Sequence, residues 1–214
     1  MEWRIMIKII GICGGSASGK TAISRELEKE NPTKVVTISQ DSYYKPYSEM
    51  SLEERKQINF DHPNAFDIEL LHEHLMQLKK GGIIQMPVYS FSQYTREDRT
   101  VCVQPKDVIV LEGMLILHYL EIRELLDKSF YIEANEKTRV KRMVLRDVKE
   151  RGRTVEGVIE QYKRDMKPMH DKFVEPLKEY ADVIIDGNIE QNLVYNNVLK
   201  YLSKFHILDE DLER

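Results

Sequence analysis

Cysteine is almost missing from this chain: Cys13 and Cys102 are the only two among 214 residues. That is too few for a disulfide framework and lacks the paired spacing of a zinc site, so a reducing cytoplasm is the expected compartment. Positive charge is not in surplus either, with 32 lysines and arginines against 36 acidic residues and a net charge of −4. A general nucleic-acid surface needs the opposite balance, so no nucleic-acid partner is expected and any basic site must be local. No apolar run is long enough to cross a bilayer. The opening "IMIKIIGICGG" is interrupted by Lys8 and runs into glycines rather than a cleavage site, so no membrane association is expected. Repeats, low-complexity segments and domain-marking linkers are missing too. With 42% hydrophobic residues the chain suits one core, a single unit spanning residues 1–214.

What is present is an alternation of short β-branched runs with longer segments of 3.6-residue period, the pattern of an α/β fold with a parallel sheet flanked by helices. About five strands are predicted, at Arg4 to Ile12, Lys34 to Ser39, Val108 to Leu111, Phe130 to Ile132 and Val183 to Ile185. Helices are predicted at Lys20 to Lys29, Glu69 to Lys80, Leu115 to Leu126, Thr138 to Glu150, Val155 to Phe173 and Glu190 to Phe205. A capping box at Ser51 to Glu54 opens one more short helix. One region, about 83–104, breaks the alternation: Ile83 to Tyr89 and Thr100 to Val103 form extended runs around a polar link, a β-hairpin outside the main sheet. Its segment "PVYSFSQYTR" sets three aromatics among hydroxyls, with no helical period.

"GGSASGKT", Gly14 to Thr21, satisfies GxxxxGK[ST] between an apolar strand and a helix. Gly14, Gly15, Ser16, Ala17, Ser18 and Gly19 can turn backbone N–H groups onto phosphate oxygens, while the helix N-terminus adds partial positive charge. Lys20 reaches the terminal phosphates of ATP and Thr21 offers a hydroxyl to Mg²⁺. Glu112, ending the strand "DVIVLEG", stands where open α/β sheets hold ligands and can hold the magnesium through water. The helix from Thr138 places Val140, Met143, Val144 and Val148 on one side and Arg139, Arg142, Arg146 and Lys149 on the other. Arg139, Arg142 and Lys149 are expected on a solvated face. Arg146, Arg151 and Arg153 suit a lid, about 140–165, closing on transferring charge, so the expected chemistry is phosphoryl transfer.

Such a transfer needs an acceptor hydroxyl and usually a carboxylate to take its proton. Asp41, directly after the second strand, is the leading base. Asp61 follows Phe60 in "NFDHPNAFD", where a carboxylate beside an aromatic suits a ribose. The six histidines show no metal-site spacing.

Taken together and in order, "GGSASGKT", "QDSYY", "NFDHPNAFD", "PVYSFSQYTR", "VIVLEG", "RDVKERGR", "QYKRDMKPMHDKFVEP" and "YADVII" resemble uridine-cytidine kinases within the phosphoribulokinase/uridine kinase group of P-loop kinases, from about Ile9 to Ile185. The resemblance implies transfer of the ATP γ-phosphate to the 5′-hydroxyl of a pyrimidine ribonucleoside, with Mg²⁺, in cytoplasmic pyrimidine salvage. It also implies a homotetramer under feedback by CTP and UTP. Matched by position, Asp41 is the general base and Asp61 and Arg153 hold the ribose. Tyr44 and Gln161 line the acceptor pocket, Phe60, Tyr89 and Phe91 enclose the base under the hairpin, and Arg146 and Arg151 face the phosphates.

Three departures from the family pattern matter. Tyr94 stands where relatives most often have histidine, which meets the Watson–Crick edge and can reverse its polarity by changing tautomer; a phenol donates better than it accepts, so a cytidine preference is expected. Met143 replaces a second consecutive arginine. "IIDGNIEQN" replaces the usual segment after the last strand, so no adenine contact is carried over. Two rival functions lack support: a sugar-phosphate kinase would need a second cationic cluster rather than an aromatic box, and a guanine-nucleotide switch would need an NKxD-type motif.

Overall fold

Valine, isoleucine and threonine are stiff at χ1 and pack best on a pleated surface. Their clusters form the strands of the computed structural model, which describes residues 6–208. These are β1 Lys8–Cys13, β2 Val35–Ser39, β3 Ile84–Ser90, β4 Thr95–Val103, β5 Val108–Gly113, β6 Lys128–Glu133 and β7 Val183–Asp186. Five of them form one sheet in the order β2-β5-β1-β6-β7, parallel throughout. Strands buried on both faces read as continuous apolar runs, as β1 and β5 do. The first strand begins at Lys8, and Arg4 and Ile5 of the expected run lie outside the described residues.

The helices are α1 Lys20–Glu30, α2 Leu52–Arg55, α3 Ile68–Lys79, α4 Leu120–Arg123, α5 Glu136–Arg151, α6 Val155–Gln161, α7 Lys167–Met169 and α8 Gln191–Lys204. Ser51 and Glu54 close the expected capping box on α2. Asp67 caps α3, and Asn135 caps α5, which Gly152 ends in the left-handed region at φ 64°. One apolar cluster, including Leu71, Leu75 and Leu78 of α3, fills one face of the sheet; on the other, Ile23 and Leu27 of α1 meet Val194, Val198 and Leu202 of α8. A third cluster, Met143, Val158 and Tyr162, ties α5 to the segment after it.

Two predicted helices change. Of Leu115 to Leu126 only α4 is helical, because Met114, Leu115, Ile116 and Leu117 are consecutive and all buried, a burial no single helix face can supply. The segment predicted as one helix from Val155 to Phe173 is α6, a π-helical turn Tyr162–Met166, α7, and a second π-helical turn His170–Val174. Such wide turns recur at functional sites.

The hairpin is real and longer than expected: its second strand starts at Thr95, not Thr100, in a separate two-stranded sheet. Glu97 to Cys102 are exposed, so no apolar alternation marked that strand. It is anchored by Arg96, whose Nε donates to the Tyr44 carbonyl at 2.8 Å and whose Nη2 donates to Asp67 Oδ2 at 3.0 Å.

Candidate functional site

Because β1 is the middle strand and is followed directly by the glycine loop, the phosphate motif opens at the carboxyl edge of the sheet, between β5 and β6. Gly14, at φ 147°, shows why the loop needs glycine: a Cβ there would lie 2.6 Å from the Ile132 carbonyl oxygen. Gly19, at φ 112°, turns the chain into α1. Lys20 Nζ rests 3.5 Å from the Gly15 carbonyl oxygen.

Opposite the loop, β2 and β5 end side by side, with Ser39 paired to Glu112. Glu112 is 2% exposed; its carboxylate accepts from Ser39 Oγ at 2.6 Å and from Thr21 Oγ1 at 3.1 Å. Desolvation raises its carboxyl above the ordinary range, against the pull of Lys20. The Ser39 hydroxyl also accepts from the Asp41 backbone N–H at 3.3 Å and so starts the 3₁₀ turn Gln40–Tyr43. One serine thus fixes both the buried glutamate and the loop that carries Asp41. Sequence reasoning missed it, because a serine ending a strand carries no signal apart from turn formation.

These groups share a cleft of about 1290 Å³ lined by Ser16, Ala17, Gly19, Lys20, Thr21, Asp41, Tyr44, Phe60, Asp61, Tyr89, Phe91, Tyr94, Glu112, Arg142, Arg146, Arg153 and Gln161. Gly14, Gly15 and Ser18 do not line it: Ser18 is 1% exposed, beneath the loop. The Arg151 side chain lies outside the described residues. Every other expected site residue faces this one space.

Inside the cleft, desolvation of Asp61, reinforced by repulsion from Asp41 and Asp165 and opposed by Lys20 and Arg146, raises its carboxyl to about 7. The aromatics form a continuous wall: Tyr44 meets Phe60 and Tyr89 at centroid distances of 5.5 and 4.9 Å, Tyr89 meets Phe91 at 5.3 Å, and Phe60 meets Tyr94 at 5.6 Å. The Tyr89 hydroxyl is buried with no hydrogen-bond partner among the described residues. Tyr94 sits at the hairpin turn with φ 52°.

The arginine helix differs from expectation. Arg139 is buried, 4% exposed, and donates from Nε to the Ala134 carbonyl at 3.1 Å; Arg142 donates from Nη1 to the Ser18 carbonyl at 3.1 Å. Neither lies on a solvated face, because that face of α5 packs against the phosphate loop. Lys149 does stay exposed, whereas Val148, expected inside, is 40% exposed. Its neighbour Asp147 is buried, accepting from Arg146 Nε at 2.8 Å and pairing with Arg153 Nη1 at 3.5 Å. Met143 is fully buried in the third cluster, and its neighbour Arg142 lines the cleft together with Arg146 and Arg153.

Known proteins resemble the chain in sequence and in fold. Residues 9–194 match the model of the Phosphoribulokinase / Uridine kinase family. The chain is 48% identical over 178 residues to a uridine kinase of Clostridium novyi, covering 83% of this chain and 86% of that one. A uridine kinase of Halalkalibacterium halodurans is 49% identical over 178 residues, covering 83% and 84%, and one of Clostridium tetani is 41% identical over 201 residues, covering 92% and 96%. Among solved structures, phosphoribulokinase from Rhodobacter spheroides superposes with a TM-score of 0.63 at 16% identity, over 85% of this chain and 70% of that one. D-glycerate 3-kinase from Cryptococcus neoformans gives 0.60 at 19%, over 87% and 88%; at these identities both show the fold alone.

Proposed function

The chain belongs to the phosphoribulokinase/uridine kinase family, and from that premise we propose that it transfers the γ-phosphate of ATP to the 5′-hydroxyl of a pyrimidine ribonucleoside. The observation that carries this reading is that the phosphate loop and an aromatic wall line the same cleft, which Asp41 and Asp61 line as well. A sugar phosphate would need cations where Tyr44, Phe60, Tyr89 and Phe91 stand.

In this reading the loop amides and Lys20 hold the phosphates, and Arg142 and Arg146 meet the charge that develops on the transferred group. Asp61 and Arg153 fix the ribose, Tyr44 and Gln161 shape the pocket around it, and Asp41 accepts the 5′-hydroxyl proton. Arg151 completes the phosphate side. Among the described residues no cluster of three or more His, Cys, Asp or Glu gathers to hold a metal by itself. The donor set nonetheless suits Mg²⁺, which keeps most of its waters and takes one or two protein oxygens beside substrate phosphates: the Thr21 hydroxyl and the buried Glu112 carboxylate, 3.1 Å apart, would hold it. Bound there, the ion would neutralise charge on the β- and γ-phosphates. The same reading places the reaction in cytoplasmic pyrimidine salvage, in a homotetramer inhibited by CTP and UTP.

Because the Asp61 carboxyl titrates near 7, nucleoside binding follows its ionised form, the one that accepts both ribose hydroxyls. From pH 8 to pH 6 the ionised fraction falls from about nine-tenths to about one-tenth. The expected result is a nucleoside KM that rises about tenfold over that range, with a flat KM profile in Asp61→Asn. A KM independent of pH in the native protein contradicts the assignment.

Tyr94 and Tyr89 would meet the edge of the base. Leaving one buried polar group unpaired costs about 1–3 kcal/mol, or roughly ten- to a hundredfold in discrimination. Cytidine should therefore exceed uridine by that factor in kcat/KM with ATP and Mg²⁺, and Tyr94→His should bring the two together. Equal rates on the native protein would sink the preference and leave the kinase intact.

A further inference from the structure

Tyr94 does not stand alone at the mouth of the cleft. Arg153, from the loop after α5, donates from Nη2 to the Tyr94 hydroxyl oxygen at 3.0 Å. Its Nη1 reaches Gln161 and pairs with the buried carboxylate of Asp147 at 3.5 Å. A guanidinium has five donors and no acceptor, so the direction of the bond to Tyr94 is settled without seeing a hydrogen: the phenol oxygen accepts. Its own proton must then point away from Arg153. A charged donor on the oxygen also draws electron density from it, making the O–H a better donor and the oxygen a poorer acceptor.

This fixes what Tyr94 can read. With its oxygen engaged, Tyr94 offers the cleft a proton. Cytosine presents an acceptor at N3, whereas uracil presents an N–H there, which would meet an oxygen already occupied. On the same hairpin the Tyr89 hydroxyl is buried with no hydrogen-bond partner among the described residues, so it can accept from the cytosine amine or donate to the uracil carbonyl. Tyr89 therefore tolerates either base and the discrimination falls on Tyr94, a residue whose polarity is set by its neighbour. We propose that Arg153, through its hydrogen bond to Tyr94, is a specificity-determining residue: it locks the tyrosine as a donor and makes base choice depend on the lid. Among the described residues Arg153 uses Nη1 and one Nη2 hydrogen, which leaves its other donors for a ribose contact. The inference rests on the reading of the aromatic hairpin as the base site.

The test is kcat/KM for cytidine and uridine on the native protein, Tyr94→Phe, Arg153→Gln and the double variant. The Arg153 side chain is 27% exposed and pairs with the buried carboxylate of Asp147, so the melting temperature of each variant is measured beside its kinetics, and the comparison is the cytidine-to-uridine ratio within one protein, which a smaller folded fraction leaves unchanged. Loss of a ribose contact alone lowers both nucleosides equally. The inference expects more: in Arg153→Gln the freed phenol rotates to suit either base, and the cytidine-to-uridine ratio falls from roughly ten- to a hundredfold to within about threefold of unity. In the Tyr94→Phe background the ratio is already near unity, and Arg153→Gln lowers both rates without changing it. A high native ratio that collapses in Tyr94→Phe but survives Arg153→Gln overturns the role of Arg153 and leaves Tyr94 as the reader. A native ratio near unity overturns both while the kinase reading stands, and failure to phosphorylate either nucleoside overturns that reading and the inference with it.

Discussion

Asp41→Asn is expected to lower kcat by about a thousandfold while nucleoside KM stays within a few fold of native. The amide keeps the shape and the backbone bond to Ser39 Oγ, so the turn Gln40–Tyr43 stays in place. It cannot take the proton that the 5′-hydroxyl sheds as it attacks. A second consequence separates this account from a general disturbance of the loop. The Asp41 charge is one of the causes that raise Asp61, after desolvation. Removing it lowers the Asp61 carboxyl, so the acid limb of the nucleoside KM profile moves to lower pH. Steady-state kinetics from pH 5.5 to 8.5 on both proteins check the two effects together. A variant with native kcat would remove Asp41 from the chemistry.

Glu112→Gln should lower kcat by about a hundredfold or more at saturating Mg²⁺ and ATP, because in the proposed site the strand-end anion would be the protein's charged contribution to holding the metal. Stability should move the other way. The folded-state carboxyl is raised above its ordinary value near 4.5, so the native state binds that proton more tightly than the unfolded chain does. The ionised form therefore costs stability progressively as pH rises from the unfolded value through the raised folded one. A neutral amide of the same shape removes that cost, and its oxygen still accepts one of the two hydroxyls of Ser39 and Thr21. The melting temperature at pH 8 should not fall, and each 1 kcal/mol regained would raise it by about 2–4 °C. A variant that loses activity and several degrees of melting temperature together would make Glu112 a structural residue.

Much of this site was legible because position carried it. A glycine loop after an apolar run, an aspartate after the second strand and a glutamate at the end of β5 all fall at the carboxyl edge once the sheet is parallel, and the structure brings Lys20, Asp41 and Glu112 into one cleft. Aromatic spacing marked the hairpin, although the polar start of β4 hid its length. Illegible were the residues whose meaning depends on what faces them. Arg139 and Arg142 have the period of a solvated stripe, and only the packing of α5 against the phosphate loop turns them inward. Asp147 took the buried place that the apolar period assigned to Val148, because a carboxylate between Arg146 and Arg153 is better paired inside than a valine is covered there. Ser39 carried no signal beyond that of a turn. Arg96, charged and in a strand with little apolar pattern, gave no hint that it fastens the hairpin to the Asp41 turn.

Phosphoryl transfer to a nucleoside hydroxyl is tested most directly by the identity of the product. The protein is incubated with ATP, Mg²⁺ and cytidine, or uridine, and the mixture is resolved by ³¹P NMR and mass spectrometry. The account predicts one ADP for each nucleoside 5′-monophosphate formed, with no turnover of ribulose 5-phosphate under the same conditions. ADP released without nucleotide product, or a phosphorylated sugar in place of the nucleotide, would contradict it.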